Sequence, residues 1–167
     1  MADLTSIDRL QPCLLDRLFD DEPRRRSESR EEKVISVRRF REGVKRDIEW
    51  LLNSKSRFYD LDDGQFSEIK NSVLNYGIRD FTGLSSENLN LGQLERIIRN
   101  ALIQYEPRLI PEELKISYTE MSQSSSELQN VNALDFEISG KIWAEPLPQD
   151  FVLRTEMSLE TGMISLS

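Results

Sequence analysis

Carboxylates are the reactive side chains that this sequence supplies in quantity. Thirty of its 167 residues are Asp or Glu, and it contains no histidine. Histidine-based catalytic triads and two-histidine metal motifs are therefore excluded, and a hydrolase would have to use a pair of carboxylates. Glu106 is the best candidate for the proton donor of such a pair, because it follows aromatic Tyr105 at the end of a predicted helix. Arg108 argues against that role, since a nearby guanidinium favours the ionised carboxylate, and we expect no catalytic residue.

Metal and thiol chemistry has little support in the sequence. Cys13 is the one cysteine, which excludes an internal disulfide and a thiolate metal cluster, and we expect it to be a small packed side chain. The acidic turn at residues 60–64 invites comparison with a calcium-binding EF-hand loop. Counted from Asp60, however, the sixth position is Gln65 and the twelfth is Asn71, where that loop needs Gly and Glu. We expect no metal and no cofactor.

Charge is unevenly distributed along a chain whose net charge is −8. Residues 24–46 contain ten basic and four acidic residues, whereas the other residues are predominantly acidic. Acids are interleaved with the arginines and no aromatic platform accompanies them, so a solvated surface or a contact with an acidic protein is favoured over nucleic-acid binding. Apolar runs do not exceed three residues, and the chain starts without a signal-peptide pattern. We expect a cytoplasmic protein without membrane insertion.

Apolar residues at helical spacing predict helices in the first two thirds of the chain. A short helix through Leu10, Leu14 and Leu18 precedes a charged linker at residues 24–33. A short helix through Phe66, Ile69 and Val73, ended by Gly77, is followed by a structured loop at residues 77–83. The clearest apolar stripe consists of Val37, Phe40, Val44, Ile48 and Leu51. A second long stripe, stopped by Pro107, consists of Leu91, Leu94, Ile98, Ala101, Leu102 and Tyr105.

Beyond Pro111 the apolar period changes from helical spacing to alternation, which is typical of half-buried strands. Gly140 interrupts the second alternating run, where we predict a bulge or kink. Residues 160–162 predict a hairpin turn before a short last strand. The chain is therefore predicted to be α+β, with amino-terminal helices packed on a carboxyl-terminal antiparallel sheet of about four strands. The alternating apolar residues are Leu114, Ile116, Tyr118, Leu134, Phe136, Ile138, Phe151, Leu153, Thr155, Met157 and Leu159.

The segment from Tyr105 to Leu109 has two interpretations from its residues alone. In the first, Glu106-Pro107-Arg108 is a helix stop with a solvated ion pair of little energetic value. In the second, Pro107 makes a rigid corner that presents a carboxylate and a bidentate arginine to a partner protein. The residues by themselves leave both interpretations open.

Five segments, in order, carry a resemblance to a known family. They are residues 14–18, residues 44–53, residues 72–78 with Asp80-Phe81, the triplet Glu106-Pro107-Arg108, and residues 153–156 with 159–162. Together they resemble the TssE family, the baseplate wedge subunits of bacterial type VI secretion systems. That family is similar to a small wedge protein of contractile phage tails and has been labelled lysozyme-like. Arg79 stands where the family pattern would have proline.

The resemblance implies a structural baseplate subunit that is not an enzyme. It implies that the subunit joins TssF, TssG and TssK in a wedge at a baseplate docked on the inner membrane. The triplet Glu106-Pro107-Arg108, with Tyr105 and Leu109, would dock on TssF and TssG. The carboxyl-terminal sheet, through Leu153, Thr155 and Met157, would face the sheath subunits TssB and TssC and start sheath assembly by strand addition.

A domain division accompanies this resemblance, and two other functions compete with it. Residues 1–33 are predicted to be an amino-terminal helix with a charged linker, and residues 34–167 to form the wedge domain. The alternative function is that of a peptidoglycan-cleaving glycosidase that uses carboxylates. A third function, nucleic-acid binding, would depend on Arg24, Arg25 and Arg26.

Overall fold

The structure is a computed structural model that describes residues 13–18, 37–58, 67–83, 90–118, 133–143 and 148–166. In it, the clearest apolar stripe of the sequence forms helix α2, Val37–Asn53. The stripe is buried because the helical period places its members on one face, while the arginines Arg38, Arg39 and Arg41 lie exposed on the others. Its buried side chains are Phe40, Val44, Ile48, Leu51 and Leu52.

The second long stripe forms helix α4, Leu91–Tyr105, which begins and ends at recognisable caps. Asn90 accepts a hydrogen bond from the backbone N–H of Gln93 and so satisfies one of the free donors of the first turn. At the other end the N–H of Glu106 donates to the carbonyl of Leu102, and Pro107 follows. The predicted stop is confirmed.

Four antiparallel strands form one sheet in the order β1-β2-β3-β4. The strands are β1 Lys115–Tyr118, β2 Ala133–Ile142, β3 Gln149–Ser158 and β4 Ile164–Leu166. Strands β2 and β3 pair over their whole length, from Ala133 opposite Ser158 to Ile142 opposite Gln149. The α+β prediction, with helices first and a four-stranded antiparallel sheet last, is confirmed.

The core lies between the long helices and one face of this sheet. Alternate residues of β3 are buried and exposed along the strand, so one face packs inward and the other is solvated. Among the described residues, the buried polar or charged side chains are Thr155 and Glu106. The Thr155 hydroxyl donates to the carbonyl of Phe136 at 2.5 Å, which satisfies it within the sheet. The carboxylate oxygens of Glu106 instead accept hydrogen bonds from an arginine, Arg108.

The predicted loop at residues 77–83 is hydrogen-bonded to the segment after α2 at one end and to the last hairpin at the other. Ile78 forms a parallel bridge with Lys55, and Ile78 and Phe81 are buried. Gly77 has a φ of 120°, and a Cβ there would lie 2.3 Å from the carbonyl oxygen of Ser54, so only glycine fits. At the other end of the loop the N–H of Gly83 donates to the carbonyl of Leu159. The prediction of a structured loop is confirmed.

The short helices differ from their predictions. Helix α1, Leu14–Leu18, lies within the predicted span, but its Leu14 and Leu18 are 73% and 74% exposed and do not belong to the core. Helix α3, Ser67–Lys70, ends early, and a 3₁₀ turn at Val73–Asn75 follows it. Val73 is 81% exposed, so placing it on the buried side of a continuous helix was wrong. Ser72 caps the 3₁₀ turn and breaks the helix instead.

Gly140 does not mark a bulge. The register of β2 and β3 runs through it without interruption, with Gly140 opposite Phe151. A Cβ at Gly140 would lie 3.2 Å from the carbonyl oxygen of Glu113, so the glycine permits close approach of the chain before β1. The linker at residues 24–33, the acidic turn at 60–64, and Leu10 and Phe66 lie outside the described residues.

Candidate functional site

The corner after α4 is built around a bond between its own two charged residues. Arg108 Nε donates to Glu106 Oε1 at 2.6 Å, and Arg108 Nη2 donates to Glu106 Oε2. The backbone N–H of Arg108 also donates to Glu106 Oε1 at 3.2 Å. Both carboxylate oxygens are therefore bound within the corner, and Glu106 is only 4% exposed. This arrangement fits neither of the two sequence interpretations fully, since the pair is neither solvated nor presented outward.

Arg108 extends this pair into helix α2. Its Nη2 donates to Asp47 Oδ2 at 2.6 Å, and Asp47 Oδ1 accepts from Nε and Nη2 of Arg46 at 3.0 and 2.8 Å. Arg46 Nη1 in turn donates to Asp16 Oδ1 of α1 at 2.5 Å. The result is a charge chain, Asp16–Arg46–Asp47–Arg108–Glu106, in which carboxylates and guanidiniums alternate.

Cys13 belongs to the far end of the charge chain. Its Sγ donates to Asp16 Oδ2 at 3.1 Å and accepts a longer contact of 3.7 Å from Arg46 Nη2. The cysteine is half-buried. Cys13 was expected to be a small packed side chain; in the structure it also makes polar contacts, with Asp16 and Arg46.

Burial and ion pairing act in opposite directions on the arginines of the charge chain. Burial disfavours the cation of Arg108, but hydrogen bonds and charge from Glu106, then from Asp47, outweigh it and raise the Arg108 pKa above its usual value. Hydrogen bonds to Asp16 and Asp47 likewise raise the pKa of Arg46. The hydrogen bond from Arg46 lowers the pKa of Asp16. Both guanidiniums are consequently held charged and oriented.

The backbone of the corner is tied to the end of β2. Leu109 forms an antiparallel bridge with Ile142, and Trp143 donates its N–H to the carbonyl of Arg108 at 2.7 Å. Leu109 is buried, so it anchors the corner from below. Pro107 remains exposed at the tip. Helix, proline and sheet together hold the corner in one conformation.

A surface cavity of about 390 Å³ opens beside the corner. Tyr76 and Tyr105 lie on one side of it in an edge-to-face arrangement, with ring centroids 5.2 Å apart. The Tyr105 hydroxyl donates to the carbonyl of Ser72 at 3.0 Å, which fixes that ring. Exposed Val73 and Leu74 precede Tyr76. The other lining residues are Cys13, Asp47, Leu51, Glu106, Pro107 and Arg108.

Comparison with known proteins gives the family of the segment that contains this corner. Residues 38–147, about two thirds of the 167-residue chain, match the family model described as baseplate wedge protein gp25. The chain belongs to the gp25 family. No curated protein and no solved structure matches it.

Membership of the gp25 family assigns a structural role in a baseplate and association with other baseplate proteins. The matched segment includes α2, α4, the corner and strands β1 and β2, and it stops before β3. The baseplate wedge part of the predicted resemblance is confirmed. Within the described ranges, no helix is long and apolar enough to cross a membrane. In the same ranges, no cluster of three or more Cys, Asp or Glu side chains could hold a metal ion.

The structure brings together four of the five residues that the sequence analysis placed at the docking corner. Tyr105, Glu106, Pro107 and Arg108 all border the cavity, whereas Leu109 points into the core. Asp16, Arg46 and Asp47 were missed. All three lie in the segments 14–18 and 44–53 that carry the family resemblance, but nothing in the sequence linked those segments to the corner.

The three residues expected to face the sheath lie on the inner face of the sheet. Leu153, Thr155 and Met157 are all buried, and β3 pairs with β2 along its whole length. Their side chains pack in the core of this gp25-family member. A strand from another protein would therefore meet this sheet through backbone groups at an edge.

Proposed function

We propose that this gp25-family chain is the TssE-type wedge subunit of a type VI secretion baseplate, with no catalytic residue. The observation that carries the proposal is the preorganised Glu106-Pro107-Arg108 corner, held from α1, α2 and β2 at once. Interfaces gain affinity when such a surface is ordered before binding, because less conformational entropy is lost on association. In this proposal the partners that receive the corner are TssF and TssG, and TssK completes the wedge.

The corner docks as a fixed surface instead of as two free charges. Glu106 and Arg108 position the exposed tip at Pro107, and Tyr76 provides an aromatic surface beside it. Val73 and Leu74 extend this surface with exposed apolar side chains. Exposed apolar patches and tyrosines are frequent at protein–protein interfaces.

The sheath-initiating role is assigned to the edge of the carboxyl-terminal sheet. Strand β4 pairs with β3 at residues 155–157, so residues 150–153 of β3 lie beyond the end of β4. Asn53 binds both the N–H and the carbonyl of Ile164, which closes that point of the β4 edge. A strand of TssB or TssC would therefore add to β3 beyond the end of β4.

The domain division and the location follow from the same proposal. Residues 34–167 are the wedge domain in this proposal, and residues 1–33 are the amino-terminal helix and charged linker, of which Asp16 pairs with Arg46. The subunit works on the cytoplasmic side of the inner membrane and binds other proteins; it neither binds nucleic acid nor inserts into the membrane.

Co-purification with TssF and TssG of the same organism tests the docking corner. Wild type is compared with Glu106→Ala and Arg108→Ala, after circular dichroism has shown that each variant is folded. Arg38→Ala is the matched control, because Arg38 is an exposed arginine of α2 that pairs only with Glu42 among the described residues. We expect wild type and Arg38→Ala to bind, and the two corner variants to bind at least tenfold more weakly, the size expected for losing an interface hot spot.

Equal binding by the folded corner variants would show that the triplet is only a helix stop. If wild type itself did not bind, the type VI assignment would fail and the glycosidase alternative would be tested next by loss of cell-wall turbidity. Both oxygens of Glu106 accept hydrogen bonds from Arg108, an arrangement that does not favour a proton donor. We expect no loss of turbidity with wild type or with Glu106→Gln.

A further inference from the structure

Asp47 divides its two carboxylate oxygens between two arginines. Its Oδ1 accepts from both Nε and Nη2 of Arg46, at 3.0 and 2.8 Å, and its Oδ2 accepts from Nη2 of Arg108 at 2.6 Å. A guanidinium frequently binds a carboxylate through two parallel hydrogen bonds, one to each oxygen. Arg46 instead directs two of its donors to a single oxygen, and the second oxygen is left to Arg108.

Asp16 holds Arg46 in this orientation from the other side. Arg46 Nη1 donates to Asp16 Oδ1 at 2.5 Å, so the guanidinium is bound on two of its edges. The carboxylate of Asp16 also lies close to α2, since a Cβ at Gly43 would be 3.4 Å from its Oδ2. A glycine inside a helix is unfavourable by itself, but here it leaves room for Asp16.

The two arginines differ in the partners that they would keep if Asp16 were removed. Arg108 would keep Glu106, both of whose oxygens it binds. Arg46 would keep Asp47 alone as a charged partner among the described residues. A bidentate pair with Asp47 is then the strongest arrangement open to Arg46, and it takes Oδ2 away from Arg108.

We propose that Asp16 is a positioning residue for the docking corner, on which it acts through Arg46 and Asp47. With α1 attached, Arg46 is confined to Oδ1 of Asp47, and Arg108 is tied to α2. With α1 detached, Arg46 takes both oxygens of Asp47, and Arg108 retains only Glu106. This inference rests on the docking function assigned to the corner and adds a way of regulating it, because a contact that draws α1 away from α2 loosens the corner.

Loosening Arg108 should weaken docking without abolishing it. A group that is ordered before binding loses less conformational entropy on association, so a more mobile Arg108 lowers the affinity. Glu106 still binds the guanidinium, and Leu109 still ties the backbone of the corner to Ile142. The position of α1 therefore adjusts the affinity of the corner and does not create it.

Exchange of the Arg108 Nε–H with water, followed by NMR on the isolated full-length chain, tests this inference. Asp16→Asn removes the anchor of Arg46 and leaves Arg46 free to compete for Asp47. We expect the exchange to become about fivefold faster, at the low end of the range for coupled sites. Asp80→Asn is the matched control, because Asp80 pairs with Lys55 and not with the charge chain, and it should leave the exchange as in wild type.

Arg46→Met separates this positioning role from simple covering of the corner by α1. It removes the ion pair that attaches α1, but it also removes the competitor for Asp47. The methionine can keep the contact with the Trp50 ring, whose centroid lies 4.9 Å from the Arg46 guanidinium. We expect the Arg108 exchange in Arg46→Met to be no faster than in wild type, and unchanged when Asp16→Asn is added.

Two results would overturn the proposal. Unchanged exchange in folded Asp16→Asn would show that Arg108 is held independently of α1. Equally accelerated exchange in Arg46→Met would show that α1 acts by covering the corner and not through Arg46. If Arg46→Met were unstable, the comparison of Asp16→Asn with wild type and Asp80→Asn would still decide the first point.

Affinity for TssF and TssG is a separate measurement, so the two proposals fail in different ways. Asp16→Asn should bind these proteins about fivefold more weakly than wild type, whereas Asp80→Asn should not. If the chain binds them but Asp16→Asn changes neither exchange nor affinity, the positioning role is wrong and the docking corner stands. If exchange changes as expected but wild type does not bind those proteins, the positioning role stands and the partner assignment is wrong.

Discussion

At the scale of single residues, the site depends on Glu106, the buried charged side chain among the described residues. A buried carboxylate is unfavourable unless charged donors replace the water that it loses. Arg108 supplies two such donors, and Asp47 holds the arginine from the other side. The pair is thus a structural element of the corner as well as part of a candidate interface.

Replacing Glu106 by Gln should destabilise the protein. The carboxamide keeps one acceptor but turns an N–H group toward Arg108, which then retains only Asp47 as a charged partner. We expect the free energy of unfolding to fall by about 2 kcal/mol. Urea denaturation followed by circular dichroism measures the change.

Glu42→Gln is the matched control for this prediction. Glu42 pairs with Arg38 one helical turn away, and both side chains are largely exposed. The exposed pair should contribute no more than about 0.5 kcal/mol. Similar unfolding midpoints for Glu106→Gln and Glu42→Gln would contradict the structural role assigned to Glu106.

At the scale of elements, α1 is attached by charge and not by apolar packing. Its described hydrogen bond to α2 is that of Asp16 with Arg46, which the preceding Cys13 also contacts, while Leu14 and Leu18 are exposed. The attachment of α1 should therefore respond to pH, whereas the apolar contacts between α2 and the sheet should not.

The sign of the pH effect follows from the lowered pKa of Asp16. Its ordinary value is 3.8, and the hydrogen bond from Arg46 lowers it in the folded protein. The ion pair is therefore fully present above pH 3.8 and is lost as pH falls through the lowered value. We expect the NMR amide signals of α1 to shift below pH 3.8 while those of α2 core residues do not.

Two variants sharpen this test. Asp16→Asn should give α1 signals that already resemble the detached state at neutral pH. Asp80→Asn should leave the α1 signals as in wild type, although the hydrogen bond from Lys55 lowers the Asp80 pKa to about 2. If Asp16→Asn left α1 unchanged, the ion pair would not be what attaches the helix.

At the scale of the whole molecule, the described core is made without the amino-terminal segment. All of its buried apolar residues lie between Phe40 and Ile164. A chain shortened to residues 34–167 should consequently fold, and its free energy of unfolding should fall by less than about 1 kcal/mol, the value of a partly exposed ion pair.

Urea denaturation of the shortened and full-length chains tests that expectation. The proposed docking corner is retained in residues 34–167, so the shortened chain should also bind TssF and TssG. A loss of stability larger than that of Glu106→Gln would show that residues 1–33 belong to the folding unit. Loss of binding without loss of stability would place part of the interface in those residues.

The periodic elements were predictable from the sequence because their cause is local. Helical spacing of apolar residues predicted α2 and α4, and alternation predicted the strands around Ile138 and Leu153. The stop before Pro107 was predictable for the same reason, since proline acts on its immediate neighbour. The prediction that Val73 continues the preceding helix was wrong, because Ser72 caps a separate 3₁₀ turn although the apolar spacing is helical.

The charge chain required the tertiary structure. Arg108 and Asp47 are 61 positions apart, and Arg46 and Asp16 are 30 apart. Ion pairs between distant segments have no period, and any of the 30 acids was an equally plausible partner for an arginine. Family motifs pointed to Glu106-Pro107-Arg108, but only folding decided that its charges turn inward. Close packing of α2 against the corner excludes water there, and the buried groups must then satisfy one another.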